Sequence, residues 1–136
     1  MAEKKRFIII EDLEFWQTQI HKALEASGHI IVDRATTLAD ALKLVQLIKD
    51  KKITIDAVTL DGNLRSTAPD GYKPGDDGRQ ILKALRKAAP RVKVIGMSLD
   101  HMDEVDENVG KPPEFRLRAH LDSAINNLFR KRNENA

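Results

Sequence analysis

Short apolar runs alternate with segments of helical periodicity along the whole chain. RFIII (6–10), HIIVDRA (29–35), IDAVTL (55–60) and VKVIGM (92–97) are rich in β-branched residues and bounded by polar residues or glycine, which predicts strands. The first, third and fourth are nearly continuous in apolar character, so both of their faces should be buried. In the segment after the first strand, Leu13, Trp16, Ile20, Ala23 and Leu24 share one helical face, and Gly28 stops the helix. A second helix starts at Thr37 as its cap and carries Leu38, Ala41, Leu42, Val45 and Ile48 at helical spacing. A third runs through GRQILKALRKAA with Ile81, Leu82 and Leu85 inward and Pro90 beyond its end. The last follows KPP, proline suiting a first helical turn, and turns Phe115, Leu117, Leu121, Ala124 and Leu128 inward. Parallel neighbours need crossover connections, so this alternation predicts an α/β fold, a parallel sheet with helices on both faces.

One stretch breaks the rhythm. Only 12 residues separate Ser98 from Lys111 in SLDHMDEVDENVGK. A fifth strand near 107–110 fits into them, but a full crossover helix ahead of it does not, leaving room for a turn or two.

Length and charge narrow the class. The 136 residues suit one domain spanning 1–136, with 131–136 as a short charged tail. With 23 basic and 21 acidic residues and a net charge of +2, no nucleic-acid surface is expected. The basic stretch FRKRN suits a helix C-terminus. No cysteine is present, which excludes disulfides, thiolate metal sites and thiol catalysis. The four apolar residues after the N-terminal charges are too few for a signal peptide, and no stretch is long enough to span a bilayer. A cytoplasmic protein with no membrane contact is the default.

The chemistry gathers at the strand ends. Ligands of open parallel α/β sheets sit beyond the carboxyl ends of the strands. The first predicted strand ends in Glu11 and Asp12, the third in Asp61, the fourth in Ser98, and Lys111 follows the fifth. Taken alone, Asp61 in LDGN reads as a turn former; together with these four partners it reads as a reacting group. Three carboxylates repel one another unless a cation offsets them. A hard divalent ion, Mg2+ or Mn2+, suits an all-oxygen set, and its charge with that of Lys111 balances the three acids. An aspartate nucleophile in such a site can accept a phosphoryl group, with Ser98 hydrogen-bonding the product.

In order and spacing, IIIED, VTLD, VIGMS and GKPP resemble the motifs of response-regulator receiver domains, and the resemblance covers nearly the whole chain. It implies a flavodoxin-like, doubly wound, five-stranded parallel sheet of order 2-1-3-4-5 with an abbreviated fourth helix. It further implies Asp61 as phosphoacceptor, Ser98 as switch hydroxyl and Lys111 as phosphate-binding cation. Glu11, Asp12, Asp61 and the backbone carbonyl of Asn63 would be the metal ligands. The implied function is phosphoryl transfer from a histidine kinase or histidine phosphotransfer protein, then partner binding or relay. Enzymatic activity would be limited to self-phosphorylation and autodephosphorylation.

The chain departs from that pattern at several points. The loop from Asp61 to Gly78 is long, and the fourth helix is shortened by a similar amount. Asn108 stands where the family places a switch aromatic. Leu99 is bulkier than the residue usually found after the switch hydroxyl, and Arg65 replaces a common proline. The loop acids Asp70, Asp76 and Asp77 read as solvated, with Asp77 a cap for the third helix. His21, His29, His101 and His120 read as dispersed surface residues, His101 lying close to Ser98, and Trp16 reads as core. Two rival functions remain: a pseudo-receiver that binds partners without a phosphorylation cycle, and a toprim-type metal-dependent hydrolase. The latter family wants Asp-x-Asp where this chain has DGN.

Overall fold

The computed structural model describes residues 3–62, 64, 76–99 and 102–130. Five strands form one sheet: β1 (Arg6–Ile10), β2 (Ile30–Ala35), β3 (Ala57–Leu60), β4 (Lys93–Gly96) and β5 (Glu107–Asn108). Their order is β2-β1-β3-β4-β5 and all neighbours are parallel. Four helices connect or follow them: α1 (Glu14–Ala26), α2 (Leu38–Lys49), α3 (Asp76–Ala88) and α4 (Leu117–Phe129). This is the predicted flavodoxin-like arrangement. The segment joining β4 to β5 contains turns and bends and no helix among its described residues, and β5 itself is only two residues long. No helix among the described residues is long and apolar enough to cross a membrane.

The strand alternation sorts the core onto two faces. Ile8, Ile10, Val58, Leu60 and Val94 meet α2 and α3 through Ala41, Leu44, Val45, Ile81, Leu82 and Leu85. Phe7, Ile9, Ala57, Ile95 and Met97 meet α1 and α4 through Ile20, Leu24, Leu117, Leu121 and Ile125. Each fully buried side chain of this size contributes about 1.5–3 kcal/mol relative to exposure. Caps sharpen the helix ends: Thr37 Oγ1 accepts from the Asp40 amide at 3.1 Å, as its position ahead of the apolar pattern predicts.

Strand β3 is buried throughout and β1 from Phe7 to Ile10, whereas β2, at the sheet edge, is buried only at Ala35. Its pairing with β1 carries a bulge, since Phe7 pairs with Ile31 but Ile8 with Asp33.

Several positions differ from the sequence reading. Leu13 and Phe115 are 53% and 81% exposed, because Leu13 is only the residue before α1 and Phe115 lies in a 3-10 turn, Glu114–Arg116, that precedes α4. The prolines of KPP accordingly lead into that turn instead of α4 itself. His29 is buried. Its Nδ1 accepts from the Lys5 amide at 3.0 Å, its ring leans on Phe7, and burial lowers its pKa. Asp77 is the second residue of α3 and is buried, not a solvated loop residue. His101, Asp70, the remainder of the 65–75 loop and the 131–136 tail lie outside the described residues.

Candidate functional site

The parallel register brings β1 and β3 to an end at the same level. Asp61 N–H donates to Ile10 O at 2.9 Å and Glu11 N–H donates to Ala35 O at 3.0 Å. The ladder thereby fixes the backbone of both acids just beyond the last sheet residues. One ligand oxygen from each of Glu11, Asp12 and Asp61 lies within 4.8 Å of the others. Glu11 has no solvent exposure and Asp61 is 4% exposed, while Asp12 is half-buried.

Lys111 reaches this cluster from the far side of the sheet. Gly110, with φ of 70°, turns the chain through a conformation that side chains disfavour. The Lys111 ammonium then donates to Glu11 Oε1 and to Met97 O, both at 2.8 Å, and lies 3.6 Å from Asp61 Oδ1. The Trp16 ring stands 5.6 Å from the same nitrogen, so the partly buried Trp16 forms one wall of the cation's pocket. Ser98 is 4% exposed and follows directly on Met97, whose amide donates to Leu60 O at 2.8 Å. Hence four of the five predicted strand-end groups, Glu11, Asp61, Ser98 and Lys111, are buried or nearly so at one edge, and Asp12 joins them from the rim. Asn63 lies outside the described residues.

Burial dominates the electrostatics. It pushes the Glu11 carboxyl up to about 8; the adjacent Asp61 carboxyl adds to the rise, and the Lys111 ammonium opposes it. The metal-free site therefore holds a proton at neutral pH, and a cation that replaces it restores the ionised acids. An all-oxygen donor set rich in carboxylates suits a hard divalent ion.

Two features of the site go beyond the sequence reading. Gln17 is 3% exposed, and its Nε2 lies within hydrogen-bond distance of Ile9 O, Glu11 O and Ala35 O, at 3.3, 3.0 and 2.9 Å. It ties the ends of β1 and β2 to α1 and thus supports the Glu11 backbone. A polar residue on an otherwise apolar helix face was its only signal. The second is the contact of α3 with the residue after Asp61. Gly78 N–H donates to Gly62 O at 3.1 Å, and a Cβ on Gly78 would lie 2.6 Å from Gly62 Cα. Only glycine allows that approach, which seats the start of α3 against the Asp61 turn.

No family model matches the sequence, and no curated protein does. Solved structures do match in fold. A chain of the CheX–CheY–BeF3–Mg2+ complex from Borrelia burgdorferi superposes with a TM-score of 0.69 at 20% identity, covering 93% of this chain and 90% of that one. The response regulator PhyR from Brucella abortus gives 0.67 at 23% identity over 90% of this chain, which spans 48% of that protein. A response regulator from Burkholderia pseudomallei, solved with a phosphorylated aspartic acid and a calcium ion, gives 0.67 at 19% identity, covering 90% of this chain and 66% of that one. Strand order, crossovers and these neighbours agree: the chain has the fold of a response-regulator receiver domain.

Proposed function

We propose that the chain is a phosphoacceptor receiver that takes a phosphoryl group onto Asp61 from a phosphohistidine donor. The observation that carries the reading is the position of Asp61. It is a buried carboxylate at the end of a central strand, beside two further acids and 3.6 Å from an ammonium.

In the reaction an Asp61 carboxylate oxygen attacks phosphorus, the phosphorus–nitrogen bond of the donor breaks, and the imidazole leaves with the electron pair. Hydrolysis later breaks the new acyl phosphate, releasing inorganic phosphate and restoring the carboxylate. The Lys111 ammonium neutralises developing charge on the transferred oxygens, and the Ser98 hydroxyl donates to one of them. Glu11, Asp12 and Asp61, with the Asn63 carbonyl, are the groups that would hold Mg2+ or Mn2+. Such an ion, when bound, supplies charge neutralisation for phosphoryl oxygens. The partners are a histidine kinase or phosphotransfer protein upstream and a protein read-out downstream, in the cytoplasm.

The Burkholderia neighbour carries a phosphorylated aspartic acid and the Borrelia complex contains BeF3 and Mg2+, which supports this reading. A second reading, a partner-binding module without a phosphorylation cycle, draws on the crossover between β4 and β5, which has no helix among its described residues. Intact mass after incubation with a small-molecule phosphodonor and Mg2+ separates the two. The phosphoacceptor reading expects one phosphoryl adduct, absent from Asp61→Asn and from metal-free protein. A folded protein that gains no adduct, from that donor or from a histidine kinase, favours the binding module.

A further inference from the structure

A cavity of about 550 Å3 opens where the end of α1 and the starts of β1 and β2 meet α4, with Ala26 and Ile125 as its apolar wall. It lies at the edge of the sheet opposite the acids. The length of β1 separates the two, so the cavity is roughly 20 Å from the acid cluster.

The buried His29, 5% exposed, lines this cavity. Its Nδ1 accepts from the Lys5 amide at 3.0 Å, and burial lowers its pKa, so the ring is neutral at neutral pH. A neutral imidazole has one proton. Acceptance at Nδ1 therefore places that proton on Nε2. The Nε2–H group has no partner among the described residues and is not sealed from solvent. It is a donor left open on a ring that is otherwise covered.

The polar groups around it sort into engaged and unengaged. Ser27 Oγ donates to Asp122 Oδ1 at 2.6 Å and accepts from Arg118 Nε at 3.1 Å. The same Arg118 nitrogen lies 3.8 Å from Asp122 Oδ2, so both oxygens of that carboxylate have a neighbour. Lys5 turns its ammonium to Glu3 and to the Phe129 ring. The terminal nitrogens of Arg118 and the ammonium of Lys4, both lining residues, have no partner among the described residues. What the cavity still offers is thus a set of donors. Lys4 and Arg118 against Asp122 leave it one positive charge. The carbonyls at the end of α1 would oppose an anion, but Ala23 O, Leu24 O and Glu25 O already accept from the amides of Ser27, Gly28 and His29.

We propose that this cavity is a binding site for a small organic monoanion. Its carboxylate accepts from His29 Nε2–H between Arg118 and Lys4, and its apolar body rests on Ala26 and Ile125. One negative charge balances the excess, and the volume is that of an ordinary small-molecule pocket. The site stands whether or not Asp61 is phosphorylated, because it shares no residue with the acid cluster.

Benzoate and benzamidinium, alike in shape and opposite in charge, test the site in metal-free protein, where the acid cluster offers an anion no bound cation. Heteronuclear NMR of the imidazoles resolves His29 from the other three histidines. Benzoate should shift His29 Nε2 saturably and benzamidinium should not. Arg118→Ala and Lys4→Ala, at exposed positions, should each weaken benzoate by about threefold to tenfold. Asp122→Asn, which keeps an acceptor for Ser27, should tighten it. His29→Phe keeps a ring against Phe7 and removes the Nε2–H group; its benzoate affinity, read from the Ser27 amide, should fall by about tenfold. The surface variants decide the matter if that protein does not fold. The site is overturned by a His29 response to benzoate that does not saturate, by an equal response to benzamidinium, or by an affinity that neither Arg118→Ala nor Lys4→Ala changes.

Discussion

Replacing Glu11 with glutamine removes a carboxyl that folding carries from 4.5 to about 8. Between those values native Glu11 keeps its proton while the unfolded chain has lost it, so the native state binds more protons. Stability from this group is complete below 4.5 and falls as pH rises to about 8. At about 1.4 kcal/mol per pH unit, the full loss is at most about 5 kcal/mol. His29 contributes with the opposite sign, because its lowered pKa makes the native state the weaker proton binder near its ordinary titration. Subtracting Glu11→Gln from wild type cancels that contribution. Urea denaturation from about pH 5.5 to about 8.5 should therefore show wild type losing ground to Glu11→Gln as pH rises. Saturating Mg2+ should flatten the difference, because a bound cation holds Glu11 ionised in the native state, and metal affinity should itself climb toward pH 8. A difference that is independent of pH, or that favours wild type at high pH, refutes the assignment of Glu11 as a buried, proton-holding carboxyl.

Other perturbations test the supports of the site. Lys111→Met strips Glu11 Oε1 and Met97 O of their shared donor; it should cost about 1–3 kcal/mol in denaturation at neutral pH and cut the yield of phosphoryl adduct. Gly78→Ala adds a methyl 2.6 Å from Gly62 Cα, so despite its better helix propensity it should lower stability by about 1–3 kcal/mol; an unchanged urea midpoint would contradict the close approach. Arg86→Ala removes two bonds to the β4–β5 connection and one to Val92, just before β4, and should cost about 1–2 kcal/mol, with faster amide exchange at Val94, whose N–H donates to Asp106 Oδ2 at 2.7 Å.

The sheet was legible because β1, β3 and β4 are buried on both faces, and such strands must be written in unbroken apolar residues. The acids were legible for a related reason: in IIIED and VTLD the apolar run stops at the carboxylate, and the register carries that boundary to the sheet edge. What escaped depends on partners far away in sequence. Gln17 breaks the apolar face of α1, and only the convergence of three backbone carbonyls from β1 and β2 explains a buried amide there. Met102 sits in a polar stretch with no period, and its burial follows from packing against the core between the sheet and α2 and α3. His29 belongs to no ligand motif and stands only at the edge of an apolar run, yet it is covered by Phe7 and bonded by Lys5. Leu13 and Phe115 fit helical spacing, but each lies just outside the helix whose face it was assigned to.

The two borders of the sheet carry a consequence for how copies of this chain can meet. A long, flat outer strand would offer a row of free amides and carbonyls to a second molecule. Here β2 is interrupted by the bulge opposite Phe7 and Ile8 and bears Asp33 and Arg34, while β5 ends after two residues. Neither border is a good template for strand addition. Growth of the sheet from molecule to molecule is therefore disfavoured at both ends, and reversible association, where it occurs, is left to helical faces and loops, which can bind and release without the main chain joining a continuous ladder.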